Sequence, residues 1–153
     1  MPKEIQVANQ QSKMRIKSGI LTQLAAYTLR HEKSKRKGVS ILICSDTQIK
    51  KYHYQYFGDR SSTDVISLAM NEKDLAPTEK DHLGDLIISA ETAKRVSASY
   101  GQKPHQELER YLVHGLLHLL GYDDISPKDY SRMYAMQEKI LTQFHKQQKK
   151  ARS

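Results

Sequence analysis

The sequence predicts one compact domain of the α/β (α+β) class, a small mixed sheet of about four strands packed with about five helices. Three observations carry that expectation. Short, branched, nearly all-apolar runs such as "GVSILIC" and "LGDLIIS" alternate with longer segments of helical period. In chain order the elements read β-α-β-α-β-β-α-α-α, with no internal repeat and no long linker. The chain has 153 residues, 38% of them hydrophobic. That suffices for one buried core, and no apolar run approaches the roughly eighteen residues of a membrane span.

The first strand is placed at "EIQVA" (4–8), which alternates weakly. A helix over about 14–31 follows, with Ile20, Leu21, Leu24, Ala25 and Leu29 on one face. "GVSILIC" reads as a strand buried on both faces. Ser45 and Gln48 then form a capping-box pattern for a short helix in "SDTQIKKYHYQYF". "TDVISLAM" (63–70) is a further strand, and the polar, Pro77-containing "NEKDLAPTEKDH" is a loop. "LGDLIISAETAKRVSASYG" changes period in mid-run, from a strand to a helix capped by Ser89 and stopped by Gly101. "PHQELERYLVHGLLHLLG" is a helix from Pro104 to Gly121 whose buried stripe uses Leu108, Leu112, Leu116 and Leu119. The last helix is capped at Ser126, starts at Pro127 and carries Asp129 in its first turn. Its inner face is expected to use Tyr130, Met133, Met136 or Gln137, Ile140 and Phe144.

Composition narrows the partners. Lys and Arg number 25 against 17 Asp and Glu, a formal net charge of +8, with basic clusters at 30–38 and 145–153. Such an excess favours polyanions, nucleic acid first and an acidic membrane surface second. "MPKEIQVANQ" has no apolar signal core and the single Cys44 excludes an internal disulfide, so a cytoplasmic protein is expected. Cys44 lies inside "VSILIC" and reads as a buried structural thiol.

The chemistry concentrates in "HGLLHLLGYDD". His114 and His118 are four residues apart and so share one side of a helix, one turn from each other. Two such imidazoles can hold a metal, or can be core histidines hydrogen-bonded to backbone or carboxylate. Gly121 ends the helix and lets the chain reverse, which brings Asp123 and Asp124 within reach of the rings. An Asp oxygen is an acceptable third zinc ligand, and three protein ligands leave a position for water. Zinc peptidases with the H-E-x-x-H pattern carry a glutamate after the first histidine; here that residue is Gly115, which argues against a protease and opens space beside the site.

"HGLLHLLGYDD" resembles the H-G-x-L-H-L-x-G-Y-D-H signature of the YbeY family of bacterial endoribonucleases, the rRNA maturation factors. "TDVISL" is similar to the family's T-D-V-L-S-F strand, "LGDLIIS" to its G-D-I-x-I-S strand, and "MYAMQEKIL" to its closing helix. The resemblance spans about 40–141, with the motifs in family order. It implies a cytoplasmic, zinc-dependent endoribonuclease that prefers single strands and acts on ribosomal RNA. The implied roles are 16S 3′-end maturation and ribosome quality control, with contacts to the small subunit and a ribosome-associated GTPase, and no membrane partner. It also implies a metal site at the end of a helix, at the foot of a basic cleft. Residues 1–145 would form the single metal-hydrolase domain and 146–153 a basic flexible tail.

The resemblance makes His114, His118 and Asp124 the metal ligands, with Asp124 where the family has a third histidine. Asp123 is then assigned to the turn or to support of a ligand. With a divalent ion such a site carries +1 rather than +2, so oxygen-favouring Mn²⁺ should compete better with Zn²⁺. The family's arginine falls on Phe57 and its asparagine on His53. Arg60, three residues on, is the candidate catalytic substitute for phosphate contact, or else a solvated loop charge. His53 reads as a helix-surface residue. Asp64 and Asp85 either buttress a metal-binding histidine or cap nearby backbone. The Phe57 and Asp124 departures keep a second function open, a ribosome assembly factor with a structural metal and little nuclease activity.

Overall fold

A computed structural model describes residues 4–152. The element order follows the sequence pattern. It runs β1 (Ile5–Asn9), α1 (Ser18–His31), β2 (Gly38–Cys44), α2 (Asp46–Phe57), β3 (Val65–Ala69), β4 (His82–Ser89), α3 (Ala90–Ser99), α4 (Pro104–Leu119) and α5 (Pro127–Arg152). Two single-turn 3-10 helices, Glu72–Asp74 and Pro77–Glu79, occupy the loop between β3 and β4. Ser45 caps α2 as expected: its hydroxyl accepts from the Gln48 amide at 3.2 Å, and Gln48 Oε1 accepts from the Ser45 amide at 3.2 Å.

The four strands form one mixed sheet in the order β1-β2-β4-β3. β1, β2 and β4 run parallel, aligning Val7 with Ile41 and Ile41 with Leu86, while β3 is antiparallel to β4 and aligns Ser67 with Leu86. Strand alternation divides the apolar side chains between two faces. Val39, Ile41, Ile43, Leu86 and Ile88 meet the helices α1 and α4, whereas Ile66 and Ile87 meet Ile49 of α2 on the other side.

Helix α4 is the hub. It packs on α1, α3 and α5 and on strands β3 and β4. Leu112, Leu116 and Leu117 are fully buried, each contributing about 1.5–3 kcal/mol by leaving water. Gly115 makes the close approach to the sheet possible. A Cβ there would lie 2.9 Å from Leu86 Cδ2 and 3.1 Å from Val65 Cγ2. The space expected beside the site at Gly115 is therefore filled by the sheet, and Ser67 Oγ donates to the Gly115 carbonyl at 3.2 Å.

Two further expectations change. Of the stretch 146–153, expected as a basic flexible tail, residues 146–152 continue α5 to Arg152, and Ser153 lies outside the described residues. "KQQKKAR" contains good helix formers and neither Gly nor Pro, its terminal cations complement the helix dipole, and Gln148 Nε2 donates to Gln23 Oε1 of α1 at 3.2 Å. Tyr130, placed on the inner face of α5, is instead half exposed. The buried stripe is Met133, Gln137, Ile140, Leu141 and Phe144. Tyr130 itself lines the open cleft between α3, α4 and α5.

Candidate metal centre

The site is built where α4 stops. His114 and His118 project from the same side, with Nε2 atoms 3.1 Å apart. After Leu120 the chain turns through Gly121, whose φ of 101° is in the left-handed region that side chains disfavour. The turn is a Schellman motif: the Gly121 amide donates to the His118 carbonyl and the Tyr122 amide to the Leu117 carbonyl, both at 3.0 Å. The reversal carries Asp124 back, so that its Oδ2 lies 3.5 Å from each histidine Nε2.

The outer nitrogens fix the direction of the inner ones. His118 Nδ1 lies 3.1 Å from the Tyr122 carbonyl, an acceptor delivered by the same turn. His114 Nδ1 lies 3.0 Å from Gln137 Oε1. The orientation of that amide is set by its other end, because Gln137 Nε2 donates to Glu138 Oε2 at 3.1 Å and Glu138 in turn accepts from Arg110 Nε at 3.3 Å. Both Nδ1 atoms therefore face acceptors, the setting that suits the tautomer with Nε2 turned to a metal. In that tautomer the two Nε2 lone pairs and a carboxylate oxygen converge on one point, the arrangement a cation would join. A tetrahedral zinc with bonds of ~2.0–2.2 Å sets its ligand atoms ~3.3–3.6 Å apart. The three groups lie within 4.8 Å of one another and can bind a divalent ion.

Two cavities open onto this group. A cleft of about 980 Å³ is walled by α3, α4 and the start of α5, and a smaller one of about 460 Å³ lies toward α2; Asp64, His114 and Asp124 line both. Asp64 Oδ1 accepts from the Val65 amide at 2.7 Å, a strand-end cap, yet the residue sits at the mouth of the site. Phe57 and His53 line the smaller cavity, so the positions matching the family's arginine and asparagine do face the site. His53 Nδ1 lies 2.9 Å from the Ser61 carbonyl.

The remaining sequence candidates lie elsewhere. Arg60 stacks on the Tyr54 ring, 5.0 Å from its centroid, and lines neither cavity. Asp85 pairs with His82 Nε2 at 2.8 Å on the α2 face of the sheet, opposite to Gly84 and Leu86, which pack on α4. Asp123 accepts from the Ile125 amide at 2.8 Å and so belongs to the turn. Sequence reasoning missed Gln137, Arg95 and Arg110. Arg95 enters the large cleft from α3, its side chain 59% exposed, while one guanidinium nitrogen holds Asp46 Oδ2 at 2.9 Å. Gln137 alone carried a sequence signal, a polar residue on an otherwise apolar stripe.

Fold and site together define an α/β domain with a His-His-Asp group, able to bind a metal, at the foot of an arginine- and tyrosine-walled cleft. The family profile described as Endoribonuclease YbeY matches residues 5–145, and the chain belongs to that family. A protein of Heliobacterium modesticaldum named Endoribonuclease YbeY is 41% identical over 67% of this chain and 67% of its own. One of the same name from Syntrophomonas wolfei is 34% identical over 90% and 95%. The solution structure of a Thermotoga maritima protein superposes with a TM-score of 0.64 at 21% identity, covering 96% of this chain and 93% of that one, and agrees with the fold.

Proposed function

We propose that this chain is a metal-dependent endoribonuclease that prefers single-stranded RNA and acts on ribosomal RNA, including maturation of the 16S 3′ end and ribosome quality control. The observation that carries the metal dependence is the convergence of the two Nε2 atoms, 3.1 Å apart, on Asp124 Oδ2, with each Nδ1 set against an acceptor, at the foot of a cleft. His114, His118 and Asp124 would hold the ion, Zn²⁺ first and Mn²⁺ as its competitor. Such an ion supplies Lewis acidity toward a phosphoryl oxygen and lowers the pKa of a bound water.

The chain's own residues do the rest. Gln137 and the Tyr122 carbonyl keep both imidazoles in the ligating tautomer. Asp64 Oδ2 is the atom proposed to hold a proton from the attacking water, since Oδ1 is engaged by the Val65 amide. Arg95, in place of the expected Arg60, offsets phosphate charge from within the cleft, and the net charge of +8 draws the polyanion in. The family supplies the wider setting: the cytoplasm, the small ribosomal subunit and a ribosome-associated GTPase as partner. Among the described residues no helix is long and apolar enough to cross a membrane.

Phe57, an apolar ring at the mouth of the site where the family carries an arginine, favours a second reading: an assembly factor with a structural metal and little cleavage. Purified, metal-loaded protein is incubated with single-stranded 16S fragments beside the His114→Ala/His118→Ala double variant. Cleavage by the wild type alone supports the nuclease. Cleavage by both, or by neither, sinks it, and cleavage by neither leaves the assembly factor.

A further inference from the structure

Three tyrosines face the large cleft with their rings exposed: Tyr100 at the end of α3, 75% exposed, and Tyr130 and Tyr134 on α5, at 53% and 50%. Large aromatic surface left in water needs a reason, since burying it elsewhere would stabilise the fold. Tyr130 and Tyr134 are one helical turn apart and their rings are nearly parallel, 15° between planes and 6.4 Å between centroids. They lie in the first two turns of α5, and the same cleft holds His114, Asp124 and the exposed side chain of Arg95, whose Nη1 and Nη2 donate to Asp46 and Thr92.

We infer that Tyr130 and Tyr134 form a stacking platform for unpaired bases, with Arg95 across the cleft on the phosphates, and that this platform seats the RNA strand whose phosphodiester reaches the metal site. The inference rests on the nuclease reading above and adds how the strand is held. Three features point to RNA rather than to a protein partner. The rings are near-parallel, as successive bases are. They share a cleft with a guanidinium that retains unused donors, and the chain carries +8. Bases stack on aromatic faces without regard to identity, and cations track the backbone, the recurring design of single-strand binding. A duplex cannot use such a platform, because its bases already stack on each other. The rings therefore supply a physical origin for single-strand preference in this chain.

The test is equilibrium binding of a fluorescein-labelled single-stranded RNA dodecamer of mixed sequence to the full chain, followed by anisotropy. A chelator is present so that no cleavage intervenes. Three proteins are compared: wild type, Tyr130→Ala/Tyr134→Ala, and Tyr130→Phe/Tyr134→Phe. Both tyrosines are exposed, and circular dichroism checks that each variant folds. The alanine variant should bind about 30-fold more weakly. The phenylalanine variant, which keeps the π-faces, should bind within about threefold of wild type, and a duplex of the same sequence should bind all three alike. Single-strand affinity unchanged in the alanine variant overturns the platform and assigns the rings to a protein contact. An equal loss on duplex overturns it too. The nuclease reading fails separately: a wild type that binds single strands with this ring dependence yet cuts nothing with any divalent ion keeps the platform and loses the enzyme.

Discussion

Replacing Gln137 by leucine removes the partner of His114 Nδ1, together with the hydrogen bond from Gln137 Nε2 to Glu138. Gln137 is 5% exposed within the Met133–Ile140 stripe, so leucine fills its place without a cavity. The effect should fall on the metal-bound state. An ion on Nε2 forces the proton onto Nδ1, where the variant offers no partner. Without an ion the proton can shift to Nε2, toward Asp124 and the cleft, since the His114 side chain is 26% exposed. A buried donor left unsatisfied costs about 1–3 kcal/mol, and loss of such a supporting contact typically weakens metal binding about 10–100-fold. The expected outcome is a zinc affinity lower by about tenfold or more, read by competition with a chromophoric chelator at neutral pH. Far-UV circular dichroism should be unchanged. A folded variant that binds zinc within about threefold of wild type would refute the tautomer argument and with it the assigned role of Gln137.

Other perturbations test other parts of the molecule. Asp124→His adds one unit of positive charge to the loaded site and should raise its preference for Zn²⁺ over Mn²⁺; an unchanged preference in a two-metal competition contradicts the electrostatic account. Gly115→Ala puts a Cβ 2.9 Å from Leu86 Cδ2 and 3.1 Å from Val65 Cγ2, so urea unfolding should show a loss of about 1–3 kcal/mol. An unaltered midpoint would mean that α4 can lift from the sheet at no expense. Burial raises the carboxyl of Asp46, but hydrogen bonds from Ser89, Thr92 and Arg95 outweigh it and hold the group below its usual range. A depressed folded value contributes stability above the unfolded pKa that is lost as pH falls through the folded one. Asp46→Asn should therefore be less stable than wild type at neutral pH, with the gap closing below about pH 4. A gap independent of pH would fail this expectation.

What the sequence revealed, and what it hid, follows from the range of each signal. Element order, the Ser45 cap and the Leu112–Leu116 stripe are local periodicities, and the folded chain keeps them. His114, His118 and the Asp123–Asp124 pair were readable because one helix and its stop place them, and the family resemblance singled out Asp124. Gln137, Arg95 and Arg110 act through the meeting of α3, α4 and α5, which no spacing along the chain encodes. Asp85 shows the intermediate case. Strand parity separates it from Gly84 and Leu86, but which face α4 covers is decided by the whole sheet. Arg60 was near in sequence to the expected arginine position, yet the loop turns it onto Tyr54 and away from the cleft. Tyr130 misled because helical period does not reveal the cleft that opens between α3, α4 and α5.

All three groups that could hold a metal come from the single segment 114–124, two from α4 and one from the turn that stops it. An ion there would fasten a helix end to its own turn rather than one layer of the domain to another. The layers are joined by Leu112, Leu116, Leu117 and the strands beneath them, none of which depends on it. The site is thus shaped as a socket, filled and emptied while the framework stands, in contrast to small domains that are unfolded without their zinc. Added metal should raise thermal stability only by mass action on the folded state.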